Sequence, residues 1–285
     1  MPVYNTDLLA PAEVLIDFGA NASRIDSDTE ELNGGSIYRG TTEFAQMQAM
    51  VTVAYGFSAR ADGFIQVANG AIEQSRDLAG PSMVELRARN EGWNDVVVGA
   101  EYLLIPDART PMVLSLAVMA PSASDYPGTA GVTINGVQTG VQESGGMGNG
   151  YTQFFPRLSG SVKGDKNALE WELSWLTDDE KVTEDAYMAK LSWLHHFNQA
   201  TYIRLGGDVY FQKGSQTAIV TTNDRTNLRA SLSLAHIVSN RLKLAAGYDY
   251  GQPSDSYAVT TSGNTVNQSD PTLQAGSLSL EYLFQ

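Results

Sequence analysis

The chain has 285 residues, 42% of them hydrophobic, with 27 glycines, 13 tyrosines and no cysteine. Without thiols there are no disulfides, no thiolate metal centres and no thiol catalysis, which suits an envelope protein folding in an oxidising compartment. The 18 basic residues against 32 acidic ones leave a net charge of −14, which repels nucleic acid and offers no broad basic surface to anionic lipid. No window approaches the roughly 20 consecutive apolar residues of a membrane helix, so a membrane role requires strands.

Strand side chains change face at every residue, and alternating segments recur from end to end. In Glu13 to Ser23, Val14, Ile16, Phe18, Ala20 and Ala22 oppose Glu13, Asp17, Asn21 and Ser23. After a polar stretch containing Asn33-Gly34-Gly35, the odd positions from Ala45 to Phe57 are apolar, with Gln46, Gln48 and Thr52 between them. Phe64 to Glu73 is apolar on both parities and reads as a strand without assigned faces. A polar loop through Pro81 and Arg89 leads to Trp93 to Leu104, where Val96, Val98, Ala100, Tyr102 and Leu104 alternate with Asp95, Gly99 and Glu101. Pro106 to Pro111 is a compact turn. Met112 to Ala120 then enters a Gly-, Ser- and Thr-rich loop, Pro121 to Gly148, of a length that is more often functional than structural.

The second half repeats the pattern. Tyr151 to Val162 turns Arg157, Ser159 and Ser161 inward; Leu169, Trp171, Leu173 and Trp175 oppose Glu170 and Glu172; Tyr187, Ala189, Leu191 and Trp193 oppose Lys190 and Ser192. Thr201 to Gln212 sets Ile203, Leu205, Val209 and Phe211 against Arg204 and Asp208. Leu228 to Leu234 carries Arg229 on its polar face, and Leu242 to Tyr250 carries Lys243 and Asp249. Leu273 to Phe284 closes the chain, with Glu281 on its polar face.

These segments predict an all-β fold: one closed antiparallel transmembrane β-barrel over residues 1–285, with about twelve strands, short periplasmic turns and long extracellular loops. Aromatics fall where interfacial girdles belong, with Phe57, Tyr102, Trp193 and Tyr282 at one end and Tyr248 and Tyr250 at the other. Met1-Pro2-Val3-Tyr4 has neither a charged region nor an apolar core, so the barrel reading expects a mature chain whose export signal has been removed. The expected partners are outer-membrane lipid, the barrel-assembly machinery and a small-molecule solute, with no nucleic acid and no cofactor. Two alternatives remain open: a plugged structural or binding barrel whose loops hold a surface partner, and a soluble all-β binding protein.

Gly276, Leu278, Leu280, Tyr282 and Phe284, followed by Gln285, resemble the C-terminal assembly signal of bacterial outer-membrane proteins. Gly92-Trp93-Asn94-Asp95-Val96-Val97-Val98-Gly99-Ala100-Glu101-Tyr102, with the apolar run from Pro111 to Pro121, resembles the outer-membrane transporters associated with the MetA pathway of phenol degradation. In that family a Gly-x-x-Asp segment opens a descending strand, and an apolar strand ending in Pro leads into a Gly-rich loop. The likeness continues from Gly145 to Gly164, and it implies a barrel with a transport role.

Catalysis is not expected. His195 and His196 are adjacent on a strand, so they point to opposite faces and do not converge on one metal ion. His236 has no serine at the spacing of a membrane phospholipase dyad. Asp178, Asp179, Glu180, Glu184 and Asp185 read as a solvated acidic loop rather than a calcium site, since no Gly-centred ligand loop accompanies them. The lumen is where function is expected. Its acids are Glu13, Asp17, Asp95, Glu101, Glu170, Glu172, Asp208, Asp249 and Glu281, and its bases are Arg157, Lys190, Arg204, Arg229 and Lys243. They form either opposed walls that set a field across a pore, with Pro121 to Gly148 as constriction or lid, or ion pairs that fill and rigidify the barrel.

Overall fold

The computed structural model describes residues 6–122, 128–144, 152–178, 185–215 and 220–284. Seventeen strand segments make one antiparallel sheet, and pairing of the first with the last closes it. The result is a barrel of twelve staves. The first three staves are β1 (Val14–Asn33), β2 (Ser36–Ser58) and β3 (Ala61–Ala79). The fourth is divided into β4 (Met83–Trp93) and β5 (Val96–Ile105), the fifth into β6 (Met112–Ala120) and β7 (Gly128–Ile134), and the sixth into β8 (Val137–Ser144) and β9 (Gln153–Lys163). β10 (Asn167–Asp178), β11 (Ala186–His196) and β12 (Thr201–Gln212) follow as single staves. A short β13 (Val220–Thr222) precedes β14 (Arg225–Ser239), β15 (Leu242–Pro253) is prolonged by β16 (Ser256–Thr260), and β17 (Thr265–Phe284) completes the ring.

The apolar parity faces outward, as in a barrel wetted by lipid. Phe18, Met47, Leu173, Leu191, Leu232 and Leu278 are all exposed on the outer wall. At about 1.5–3 kcal/mol for each large side chain left in water rather than buried, such a surface needs an acyl-chain solvent. Few apolar side chains are buried inside; Ala168, Leu194, Tyr202 and Ala235 form one cluster near the short turns. Aromatics ring that end as expected. Tyr282 and Phe284 meet edge to face at 4.6 Å, Tyr55 and Phe57 at 5.2 Å, and Trp193 stacks on His195 at 5.4 Å. On β3, Ile65 takes the lipid side while Phe64 turns inward. The Phe64 ring lies where a side chain at Gly99 would stand, a close approach that only glycine permits.

The polar stretches after residues 23 and 73, read from sequence as loops, are strand. β1 and β2 stay in register to Asn33 and Ser36, and β3 and β4 to Ala79 and Met83. Above Ala22 the outward positions become charged, so these hairpins stand clear of lipid, with water on both faces. Gly34 and Gly35, both at positive φ, close the first hairpin, as a two-residue mirror-image turn requires. Arg24 bridges Asp26 and Glu43, Arg39 meets Glu30, and Arg89 meets Glu73. Exposed pairs of this kind contribute at most about 1 kcal/mol each, so they select register more than they stabilise it. Much of the predicted loop Pro121 to Gly148 is also strand. β7 and β8 turn at Asn135 and Gly136, both at positive φ, and β7 pairs with β4. Residues 123–127 and 145–151 of that loop lie outside the described residues.

In the turn after β5, the Asp107 carboxylate accepts N–H bonds from Arg109 at 2.7 Å and Thr110 at 2.8 Å. These bonds favour the ionised form and hold the Asp107 carboxyl below its ordinary value. A folded-state value below the unfolded one stabilises the fold at neutral pH, and the contribution disappears as the solution is acidified through the carboxylate range. Asp107→Ala should therefore lower the thermal midpoint of the detergent-solubilised protein at pH 7 and have no effect at pH 2. An equal deficit at both values would remove the carboxylate from the explanation.

Candidate functional site

Inside the barrel the ionised side chains form a paired layer. Arg157 on β9 bridges Glu101 on β5 and Glu172 on β10. Arg204 reaches Glu170 across the intervening stave at 2.8 Å, and Glu170 is buried. Arg229 sits between buried Asp208 at 2.9 Å and Asp249 at 3.9 Å, and Lys243 meets Glu281 at 2.6 Å. Asp17 stands opposite Glu281 in register, and its Oδ1 has no hydrogen-bond partner among the described residues. Lys190 lies in register with Glu172 on one side and Asp208 on the other, without a salt bridge among the described residues.

Each pair joins staves no more than two apart, so the charges run around the wall rather than across the lumen. The opposed acidic and basic walls expected from sequence are not assembled. Bases and acids alternate along the circumference, because a side chain reaches a neighbour about 4.8 Å away more readily than a partner across the bore. Two residues assigned to the lumen have other tasks. Glu13 precedes β1 and accepts the Ala10 N–H at 2.9 Å. Buried Asp95 sits where β4 gives way to β5; it accepts the Ser122 N–H at 2.8 Å, and Ser122 Oγ accepts the Val96 N–H at 2.8 Å.

An N-terminal strap crosses the short-turn end of the lumen, and nothing in the sequence reading anticipated it. Thr6 Oγ1 lies 2.9 Å from Ser161 Oγ, and Lys163 Nζ donates to Asp7 Oδ1 at 2.7 Å, both on the sixth stave. Leu9 is buried, and its N–H donates to Asp62 on the third stave at 3.3 Å. The Ala12 N–H then bonds the Gly56 carbonyl at 2.8 Å, and the Gly56 N–H bonds the Glu13 carbonyl at 3.0 Å, just before β1 begins. Running from the sixth stave to the first of twelve, the strap spans the mouth almost along a diameter. The one local sign of it is Gly56, where a Cβ would come within 2.1 Å of the Ala10 carbonyl oxygen. A glycine at a strand end, with an ordinary backbone conformation, marks close approach by another chain segment.

The histidines stay apart. His195 bonds Asn167 at 2.8 Å, His196 packs on Tyr202, and His236 bonds Thr201 Oγ1 at 2.9 Å. No cluster of three metal-ligating side chains exists among the described residues, and residues 179–184, most of the acidic loop after β10, lie outside them. Gly276, Leu278, Leu280, Tyr282 and Phe284 share one face of β17. They pair in register with Ala22, Ala20, Phe18, Ile16 and Val14 of β1 at the closing seam.

No family model matches the sequence, and no curated protein matches it. Solved structures do resemble it in fold. An outer-membrane channel from Pseudomonas putida F1 superposes with a TM-score of 0.62 at 11% identity, covering 100% of both chains. The toluene transporter TodX of P. putida gives 0.53 at 8% identity, over 95% of this chain and 90% of its own. A Pseudomonas aeruginosa FadL homologue gives 0.52 at 9% identity, with the same coverage. The chain has the closed antiparallel barrel fold of outer-membrane channel proteins.

Proposed function

We propose that this chain is a monomeric, non-enzymatic outer-membrane channel through which small polar or amphipathic solutes diffuse, closed at its periplasmic mouth by residues 6–13. The observation that carries this reading is the arrangement of the inner charges. They pair along the wall, so the bore is lined with ionised groups rather than filled by them, and the segment crossing the opening is held by a few contacts. The barrel fold shared with known outer-membrane channels supports the location, and the motif between Gly92 and Tyr102 supports a kinship with the transporters of the phenol-degradation pathway. The outward face of β17 would be the surface offered to the assembly machinery.

Reconstitution into planar bilayers tests the proposal. Discrete current steps are expected from the full chain or from a variant lacking residues 1–12, and their complete absence from both would reject a channel. In that case a plugged barrel that presents its tall β1–β4 wall to a surface partner becomes the better reading.

A further inference from the structure

Above the charged layer, toward the rim opposite the strap, the inner surface changes character. Inward side chains of the tall wall and of the facing staves enclose a cavity of about 310 Å³. That size lies at the small end of the roughly 300–1,000 Å³ typical of ligand pockets. Arg225 is the single ionised side chain among the described residues that line it. Carboxamides dominate instead: Gln74 on β3, Gln212 on β12, Asn227 on β14 and Gln268 on β17 approach from separate staves.

These groups differ from the layer below in being uncommitted. Gln74, Gln212 and Asn227 make no side-chain hydrogen bond among the described residues, and Gln268 uses its carbonyl oxygen to accept from Ser256 Oγ at 2.9 Å. Each carboxamide carries two N–H donors and a carbonyl acceptor, the complement of a hydroxyl group that both donates and accepts. Phe44 and Pro271 add flat apolar surface to the same cavity, as the C–H face of a sugar ring requires. A charged guest would have to shed water beside a nearly neutral lining, whereas a polyol exchanges hydroxyl–water bonds for hydroxyl–amide bonds at little cost.

We propose that this chamber binds a neutral polyhydroxylated solute about the size of one or two sugar rings before it enters the charged layer. The inference rests on the channel reading and names the solute class for it. The test is calorimetric titration of the full-length protein in detergent with glucose, maltose and, as a charged comparison, sodium acetate. Saturable heat is expected with at least one sugar and not with acetate. Gln74→Leu and Gln212→Leu should each weaken sugar binding roughly five- to tenfold, the loss of one or two hydrogen bonds. Phe44→Ala, on a different stave, should weaken it too, and Lys190→Ala in the charged layer should leave it unchanged. Heat-modifiable gel migration verifies that each variant is folded. Absence of saturable heat with either sugar, saturation by acetate alone, or full affinity in the folded chamber variants overturns the proposal. Ion current without sugar binding removes the chamber and keeps the channel; sugar binding without current in any variant does the reverse.

Discussion

Gly56→Val is expected to raise single-channel conductance several-fold while leaving the barrel intact. The new side chain would occupy the space held by the Ala10 carbonyl, which lies 2.1 Å from the added Cβ, so the strap must move. Gly56 has no unusual backbone conformation and valine suits a strand, so the barrel itself is not strained. Moving the strap breaks the two backbone bonds between Gly56 and residues 12–13 and lifts Leu9 out of its buried site. At about 1 kcal/mol for each hydrogen bond and 1.5–3 kcal/mol for a buried leucine, those losses are comparable with everything else that holds the segment. The contacts at Ser161 and Lys163 alone would then leave the strap free to swing. A variant lacking residues 1–12 should conduct as Gly56→Val does. If both conduct no better than the parent chain, the strap is not the closure.

Arg229→Met should destabilise the folded barrel by about 3–5 kcal/mol, the cost of leaving a buried charge without its partner. Arg229 is the salt-bridge partner of both Asp208 and Asp249, and Asp208 is buried. Methionine fills most of the volume but leaves two carboxylates facing each other across the vacated site. The double variant Arg229→Met with Asp208→Asn removes the like-charge repulsion and should recover most of the loss, since a buried ion pair and its neutral replacement are often close in stability. Urea unfolding from detergent micelles measures both. Equal destabilisation in the single and double variants would mean that Arg229 acts through packing rather than charge. A third possibility is compensation by Lys190, which faces Asp208 in register; it would show as a small loss in Arg229→Met that becomes large when Lys190 is also replaced.

Several staves were legible because lipid imposes a contrast that a period of two records directly. The outer face of β17, with Leu278, Leu280, Tyr282 and Phe284, is read from its spacing alone, and its pairing with β1 closes the ring. β3 was ambiguous for a physical reason: Phe64 and Ala68 point inward although apolar, because Phe64 packs over Gly99 on the next stave. The hairpins beyond Ala22 and Glu73 looked like loops because water bathes both of their faces, and no polarity contrast survives there. Their signals were the turn glycines at 34 and 35 and the Asn135-Gly136 pair, which mark mirror-image turns between extended strands.

The amino-acid order by itself determined which side chains face lipid and which face inward, and therefore that the chain forms a closed barrel, because alternation follows from strand geometry and from the solvent on each face. Only the tertiary structure decided which acid meets which base, where the uncommitted carboxamides converge, and what crosses the lumen. Thr6 and Ser161 stand 155 positions apart in the chain, and nothing local in either residue encodes their meeting; ring closure brings the sixth stave opposite the first.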